Sequence, residues 1–235
     1  MRKFISICKF AIIYAAVAVL CLSGSTITDY AVTAIAENSP IPSRKCVVID
    51  AGHGGVDGGA VSCTGIYESK VNLQIAQRLD DLFHLLGYKT VMLRSTDTDL
   101  SRGEGTIAQR KISDLKERVR IINETKNGVL VSIHQNHFQN SRYQGAQVFY
   151  ANTEGSKELA GKLQAKLREI LHPENNRKIK RSEGVYLMEH IACTGTLIEC
   201  GFLSNPEEEA KLRSEEYQKI LCAVIGTTVS TYLNT

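Results

Sequence analysis

The chain has 235 residues, a formal net charge of +3 and no tryptophan. Its Lys and Arg residues are interspersed with Asp and Glu, so the mild basic excess does not indicate a nucleic-acid-binding protein. The length suits one domain of ordinary size with its own hydrophobic core.

The N-terminal segment differs in composition from everything that follows. Arg2, Lys3 and Lys9 precede the uncharged, largely apolar run Phe10–Gly24, and Ala34-Ile35-Ala36 has the small-x-small form of a cleavage site. At about 14 residues the apolar run is short for a helix that crosses a membrane. This pattern predicts an export segment.

We therefore expect an export signal or a signal anchor over residues 1–36, a linker over 37–45 and the catalytic domain over 46–235. A cleaved signal is favoured, and an uncleaved anchor is the main alternative. A lipoprotein is disfavoured because the bulky Leu20 precedes Cys21. Either favoured alternative places the domain outside the cytoplasm, with membrane contact only through this segment.

Strands and helices alternate in the rest of the sequence. We expect strands at Cys46–Ile49, Tyr88–Leu93, Val129–Ile133, Gln147–Tyr150 and Thr196–Ile198. We expect helices over Glu68–Leu86, Lys111–Glu124, Ser156–Leu171, from Pro206 onward and over 215–232. Apolar residues at helical spacing and a terminating glycine support the first helix. The alternation predicts a single α/β domain, with helices on both faces of its sheet.

Three predicted strands end in the same way. The segment VVID leads to His53, VLVSI leads to His134, and TLI leads to Glu199, while Glu68 opens the helix after the first strand. In an open α/β sheet, ligands bind beyond the carboxyl ends of the strands. If these strands are parallel neighbours, two imidazoles and one or two carboxylates converge at one edge.

Such a set of side chains suits a catalytic zinc site. Two imidazoles and a carboxylate leave a fourth position for water, which the metal activates at neutral pH. A further carboxylate is then available to take the proton from that water and pass it to a leaving amine. The four groups therefore supply three metal ligands and one proton carrier.

Each residue of this set also has a purely structural alternative. A single histidine at a strand end is usually structural, and Glu68 alone could serve only to favour a helix N-terminus. His137 is a less favoured third imidazole, because we expect it on the loop after the strand that precedes His134. Only the convergence of three strand ends favours the metal interpretation.

The cysteines do not indicate a second type of metal site. Outside the export segment the five cysteines form no C-x-x-C pair, and they are Cys46, Cys63, Cys193, Cys200 and Cys222. An odd number without such spacing indicates neither a disulfide framework nor a thiolate zinc site. We expect buried, unreactive thiols, with one disulfide as an open alternative.

The order of motifs resembles the zinc-dependent N-acetylmuramoyl-L-alanine amidases of the type 3 amidase family. The matching segments are IDAGHGGVDGGA (49–60), GIYESKVNLQIAQRL (65–79), LRSTDTD (93–99), LKERVRIIN (115–123), VSIHQN (131–136), GAQVFY (145–150) and LIECGFLSN (197–205). The resemblance implies a six-stranded sheet, zinc bound by His53, Glu68 and His134, and Glu199 as general base and acid. Asn136 is a weaker candidate for substrate binding.

The resemblance also implies a substrate. Members of the family cut the amide between N-acetylmuramic acid and the L-alanine that begins the peptide stem of peptidoglycan. The single domain and the long polar loop after residue 97 are most similar to the sporulation members, which act in forming muramic-δ-lactam in the spore cortex. Departures from the usual pattern are His137 after SIHQN and Ser69 after Glu68.

Two rival functions and one variant of the favoured function stay open at this stage. The chain could be another zinc peptidoglycan peptidase that cuts within the stem, or a non-catalytic wall-binding module. The presence of all four site residues disfavours the second of these. It could also be an amidase that binds zinc poorly until an activating partner protein orders the site, because metal affinity depends on the groups around the ligands.

Overall fold

Buried strands and amphipathic helices alternate through the described part of the chain. A computed structural model describes residues 45–101, 103 and 105–235. The predicted export segment 1–36, and the predicted linker 37–45 apart from Lys45, lie outside these residues. In the described part no helix combines the length and the apolar character that a membrane span requires.

Six strands and six helices make up the described structure. The strands are β1 Cys46–Ala51, β2 Lys89–Met92, β3 Gly128–Asn136, β4 Gln147–Tyr150, β5 Lys180–Arg181 and β6 Thr194–Phe202. The helices are α1 Glu68–Leu85, α2 Ile107–Glu124, α3 Ser156–Leu171, α4 Tyr186–His190, α5 Pro206–Arg213 and α6 Glu215–Leu233.

All six strands form one sheet in the order β2-β1-β3-β6-β4-β5. The pairs β1–β2, β1–β3, β3–β6 and β4–β5 are parallel, and only β4–β6 is antiparallel. The predicted α/β class and mostly parallel six-stranded sheet are therefore confirmed. The central strands β1, β3 and β6 are parallel neighbours, so their carboxyl ends reach the same edge of the sheet.

Both faces of the central strands are buried. Val47, Ile49 and their neighbours pack with α1, α3 and α6 on one face, whereas Val48 and Leu130 pack with Ile122 of α2 and Leu187 of α4 on the other. Successive residues of a strand point to opposite faces, so a continuous apolar run such as VVI at the start of β1 serves two cores. This is the pattern expected of a parallel sheet covered by helices.

Three strands and one helix extend at least two residues beyond their predicted bounds, and the first of them is β1, which continues to Ala51. Strands β3 and β6 extend to Asn136 and Phe202, because their ladder continues beyond the apolar run through His134 and Glu199. Helix α2 starts at Ile107, because Thr106 and Gln109 form a capping box at its N-terminus. The polar residues inside these segments hide the pattern on which a sequence-based boundary depends.

The short elements β5 and α4 were not predicted. They contain two and five residues and lie between Leu171 and Thr194, a range without a clear apolar period. The five cysteines in the described residues are free thiols, but the expectation that they are all buried is wrong, since Cys46 and Cys193 are only partly buried. Cys200 and Cys222 are buried, whereas Cys63 is exposed.

Candidate metal centre and active site

A sharp turn after β1 presents His53 at the carboxyl edge of the sheet. His53 has a φ of 62°, a left-handed conformation that a residue with a side chain rarely adopts. The buried Arg118 of α2 donates to the backbone carbonyl of His53 at 2.7 Å and to that of Ala51 at 3.1 Å. The same guanidinium pairs with Asp50 at 2.5 Å, so it joins the end of β1 to the turn.

A second buried arginine holds the other side of this turn. Arg94 follows β2 and donates to the carbonyls of Ala51 at 2.8 Å, Gly52 at 3.0 Å and Ser69 at 2.8 Å. Arg94 and Arg118 lie in the segments LRSTDTD and LKERVRIIN, respectively. Their contacts show a structural role: the two guanidiniums fix the backbone on which His53 lies.

Three predicted site residues meet at this edge. His53 Nε2 lies 3.2 Å from Glu68 Oε2, and His134 Nδ1 lies 3.1 Å from Glu68 Oε1. The two imidazole rings stand nearly edge to face, with centroids 5.0 Å apart. One ligand atom from each residue lies within 4.8 Å of the others. Two imidazole nitrogens and a carboxylate oxygen at this spacing fit the donor set of a catalytic zinc site.

Glu68 is held in place by the backbone around it. Its carboxylate accepts hydrogen bonds from the backbone N–H groups of Ala60 and Gln135, each at 3.0 Å, and from the Asn72 amide at 3.2 Å. Burial opposes ionisation, but the hydrogen bonds from the two histidines outweigh it and hold the pKa of Glu68 well below its usual range. Glu68 is therefore an ionised carboxylate with a fixed position.

Asp57 orients the first histidine. The Nδ1 of His53 lies 2.9 Å from Asp57 Oδ2, and Lys111 Nζ lies 3.0 Å from the same oxygen. A proton on Nδ1 that is donated to Asp57 leaves Nε2 directed at Glu68. Burial opposes a charge on His53, but Asp57 and Glu68 raise its pKa to about 9. Asp57 lies within the segment GHGGVDGGA, but nothing in that pattern indicates its contact with His53.

Glu199 lies beside the three clustered residues. It is the register partner of His134 in the β3–β6 ladder. Its Oε2 atom is buried and has no hydrogen-bond partner within the described residues, which is unusual for a buried polar atom. Burial raises the pKa of Glu199 to about 7; Glu68 raises it too, whereas His134 and His53 oppose the shift. Such a carboxyl group can both accept and donate a proton near neutral pH.

A cavity of about 330 Å³ opens at this site. It is lined by site residues, by charged residues of α2 and by the segment that leads into α4, including His53, Asp57, Lys111, His134, Tyr186 and Glu199. Asn136 ends β3, is half-buried and does not line this cavity. His137 lies on the exposed loop after β3, outside the group of clustered metal-ligand atoms.

The absence of a side chain at Gly52 makes room for His134. A Cβ atom at Gly52 would lie 2.2 Å from the His134 ring, far closer than any van der Waals contact. We expect Gly52→Ala to displace the imidazole and weaken zinc binding at least about tenfold, in line with the effect of disturbing groups around a metal ligand. Competition with a chromophoric zinc chelator measures this.

Gly161→Ala is the matched control for Gly52→Ala. Gly161 lies within α3, and a Cβ atom there would meet nothing within 4 Å. This change should leave zinc affinity unaltered and stabilise the fold slightly, by about 0.4–1 kcal/mol. Equal zinc affinity in the two variants would contradict the close packing of Gly52 on His134.

Comparisons with known proteins agree with this geometry. A family described as N-acetylmuramoyl-L-alanine amidase matches residues 47–230. The germination-specific N-acetylmuramoyl-L-alanine amidase of Bacillus subtilis is 39% identical over 193 residues, which cover 81% of this chain and 80% of that protein. LytC, another B. subtilis N-acetylmuramoyl-L-alanine amidase, is 31% identical over 80% of this chain but only 36% of its own length.

A solved structure shows the same fold. The CwlD amidase from Clostridioides difficile, solved in complex with the GerS lipoprotein, superposes with a TM-score of 0.78 and 36% identity, covering 81% of this chain and 98% of that one. The family match extends over far more than half of the sequence. The chain therefore belongs to the N-acetylmuramoyl-L-alanine amidase family and is a hydrolase of peptidoglycan.

Proposed function

We propose that His53, Glu68 and His134 bind a zinc ion, and that Glu199 is the base and acid of amide hydrolysis. The bond cut is the amide between N-acetylmuramic acid and the L-alanine of the peptide stem. The observation that supports this most directly is the convergence of three ligand atoms within 4.8 Å beside the unpartnered Oε2 of Glu199.

The side chains divide the chemistry between them. Zinc bound there would supply a Lewis acid that polarises the amide carbonyl and lowers the pKa of water. Glu199 takes the proton of the attacking water at its buried carboxylate, then delivers a proton to the departing alanine nitrogen. Asp57 keeps His53 in the tautomer whose Nε2 is free to bind.

Glu199→Gln separates catalysis from metal binding. Glutamine keeps the size of the side chain but cannot accept the proton, so we expect kcat to fall by about 10²–10⁴-fold with the same zinc content as the wild-type chain prepared in parallel. Elemental analysis and the release of peptide stems from purified peptidoglycan measure the two effects. Glu207→Gln, at an exposed glutamate of α5, is the control and should keep wild-type activity.

Full turnover by Glu199→Gln would contradict the assignment of the proton carrier. The products also distinguish this reaction from cleavage within the stem. An amidase exposes the amine of L-alanine and leaves a free muramoyl carboxylate, whereas a peptidase leaves L-alanine attached to the sugar. Labelling of new amino termini in the digest therefore tests the proposal against its main enzymatic rival.

We further propose that the reaction takes place outside the cytoplasm, in the spore cortex. Peptidoglycan lies beyond the membrane, and the relative in B. subtilis is named as germination-specific. Stripping peptide stems from muramic acid would provide the substrate for closing muramic-δ-lactam. The sequence pattern of residues 1–36 supports export, by a cleaved signal or with a retained anchor.

Deleting the gene tests the cortex role. We expect cortex muropeptides without muramic-δ-lactam, because muramic acid that retains its peptide stem cannot form the ring. Chromatography of digested cortex measures the lactam, and the chain restored in trans is the positive control. The Glu199→Gln variant supplied in trans should not restore muramic-δ-lactam to the deletion strain. Unchanged lactam in the deletion strain would place the enzyme elsewhere in the wall.

A partner protein is the last element of the proposal. The solved CwlD amidase is in complex with a lipoprotein, and we propose that this chain has an exported partner that improves zinc retention. Three protein ligands on the edge of an open cavity hold the metal less tightly than a closed four-ligand site. The chain produced alone should therefore retain less than one zinc ion per chain after dialysis. The chain produced together with the partner should retain one zinc ion per chain. Equal retention would contradict the partner's role.

A further inference from the structure

A second cavity, of about 460 Å³, lies outside the catalytic cavity. It is formed by Gln144 and Gly145 before β4 and by the segment that follows α3, including His172, Asn175, Asn176 and Arg177. None of these residues takes part in the chemistry proposed above. Its volume is in the range of small-ligand sites, and its lining is rich in side-chain amides.

Hydrogen bonds between separate segments build this cavity. The buried Glu208 of α5 accepts from the backbone N–H of Gly145 at 2.8 Å and from that of Phe202 at 2.7 Å. Asn175 donates to the carbonyl of Ala146 at 2.7 Å, and Arg177 Nε donates to the carbonyl of Gln144 at 3.2 Å. The walls are therefore fixed before any ligand arrives.

Aromatic rings contact Arg177, which lines the cavity. Arg177 lies over the rings of Phe202 and Tyr143, at 4.6 Å and 5.7 Å from their centroids, and these two rings are stacked at 28°. Phe138 contacts Tyr143 edge to face, with centroids 4.9 Å apart. Tyr143 is 44% exposed and Phe138 is 51% exposed, so part of this aromatic surface faces solvent.

The register of the sheet places this cavity near the catalytic residues. Gln147 of β4 pairs with Glu199 of β6, and antiparallel partners have Cα atoms about 5 Å apart. Gly145, which lines the cavity, is two residues before Gln147, and two residues span at most about 7 Å. The Cα atom of Gly145 therefore lies within about 13 Å of that of Glu199.

We propose that this cavity, with the Tyr143 ring, binds a hexosamine unit of the glycan strand. The inference rests on the proposed function, since the glycan is the part of that substrate that carries the bond to be cut. The electron-rich face of an aromatic ring attracts the weakly positive C–H groups of a pyranose. The exposed amides of Gln144 and Asn176 match the donors and acceptors of hydroxyl and acetamido groups. The site holds the strand and leaves the stem free to reach the metal centre.

A binding experiment on the full chain tests this without the catalytic reaction. The probe is a β-1,4-linked tetramer of N-acetylglucosamine, which has neither a lactyl group nor a peptide stem. We expect binding by isothermal titration calorimetry, and about fivefold or greater weakening in Tyr143→Ala through loss of the ring. Tyr143→Phe keeps the ring and should bind nearly as wild type.

Ile220→Ala is the matched control. Ile220 lies on α6 and is 45% exposed, close to the exposure of Tyr143, so its truncation removes a similar apolar surface elsewhere. It should leave tetramer binding unchanged. Asn176→Ala, at an exposed position of the cavity, is a second variant that should weaken binding even if Tyr143→Ala is poorly folded.

The outcomes are distinct from those of the catalytic tests. Wild-type and Glu199→Gln chains should bind the tetramer equally, because neither zinc nor the proton carrier contacts the proposed sugar site. No binding at millimolar tetramer, or equal binding by Tyr143→Ala, Asn176→Ala and Ile220→Ala, would overturn the sugar site and leave the amidase proposal intact. The sugar site would also be overturned if Tyr143→Ala no longer bound the proposed partner protein but still bound the tetramer as wild type. That result would identify this surface as a protein interface.

Discussion

The guanidinium of Arg118 is the constraint on which the active site depends. It is buried and simultaneously contacts the carboxylates of Asp50 and Asp114 and the carbonyls of Ala51 and His53. A left-handed residue with a side chain costs about 1–3 kcal/mol and persists only where its surroundings enforce it. Arg118 enforces it from one side and Arg94 from the other. Removing one partner of a buried ion pair costs about 3–5 kcal/mol, so the turn and the fold depend on the same contacts.

The order of the parallel strands β1, β3 and β6 determines which residues lie next to the His53 turn. Because β3 lies between β1 and β6, His134 comes between the His53 turn and Glu199 without any long loop. Direct register pairing puts His134 and Glu199 on the same face of adjacent strands. The ladder becomes irregular immediately afterwards, between His134 and Asn136. Regular pairing of β3 with β6 thus ends at His134 and Glu199, and the two strands themselves end soon afterwards, at Asn136 and Phe202.

The sequence predicts the convergence of the site but not its supporting contacts. Parallel neighbouring strands bring their carboxyl ends together as a matter of topology, so His53, His134 and Glu199 could be grouped from strand ends alone. Asp57 and Arg118 act through side-chain contacts across 4 and 65 residues of sequence, and no apolar period indicates such partners. The predicted strands β3 and β6 are too short because the apolar run that indicates a buried strand ends before the paired polar residues His134 and Glu199.

If the cluster binds a metal as proposed, the contacts of its histidines make metal retention sensitive to protonation. Glu68 already binds both imidazoles, and together with Asp57 it raises the pKa of His53 to about 9. The Nε2 lone pair of His53 that would bind a metal therefore holds a proton at neutral pH, so metal binding there must release that proton. The proposed site offers three protein ligands among the described residues, and two of them, the histidines, are partly exposed. An additional contact that keeps the His53 turn and Glu68 in place would favour binding of the metal over binding of the proton. Such a contact need not supply a metal ligand.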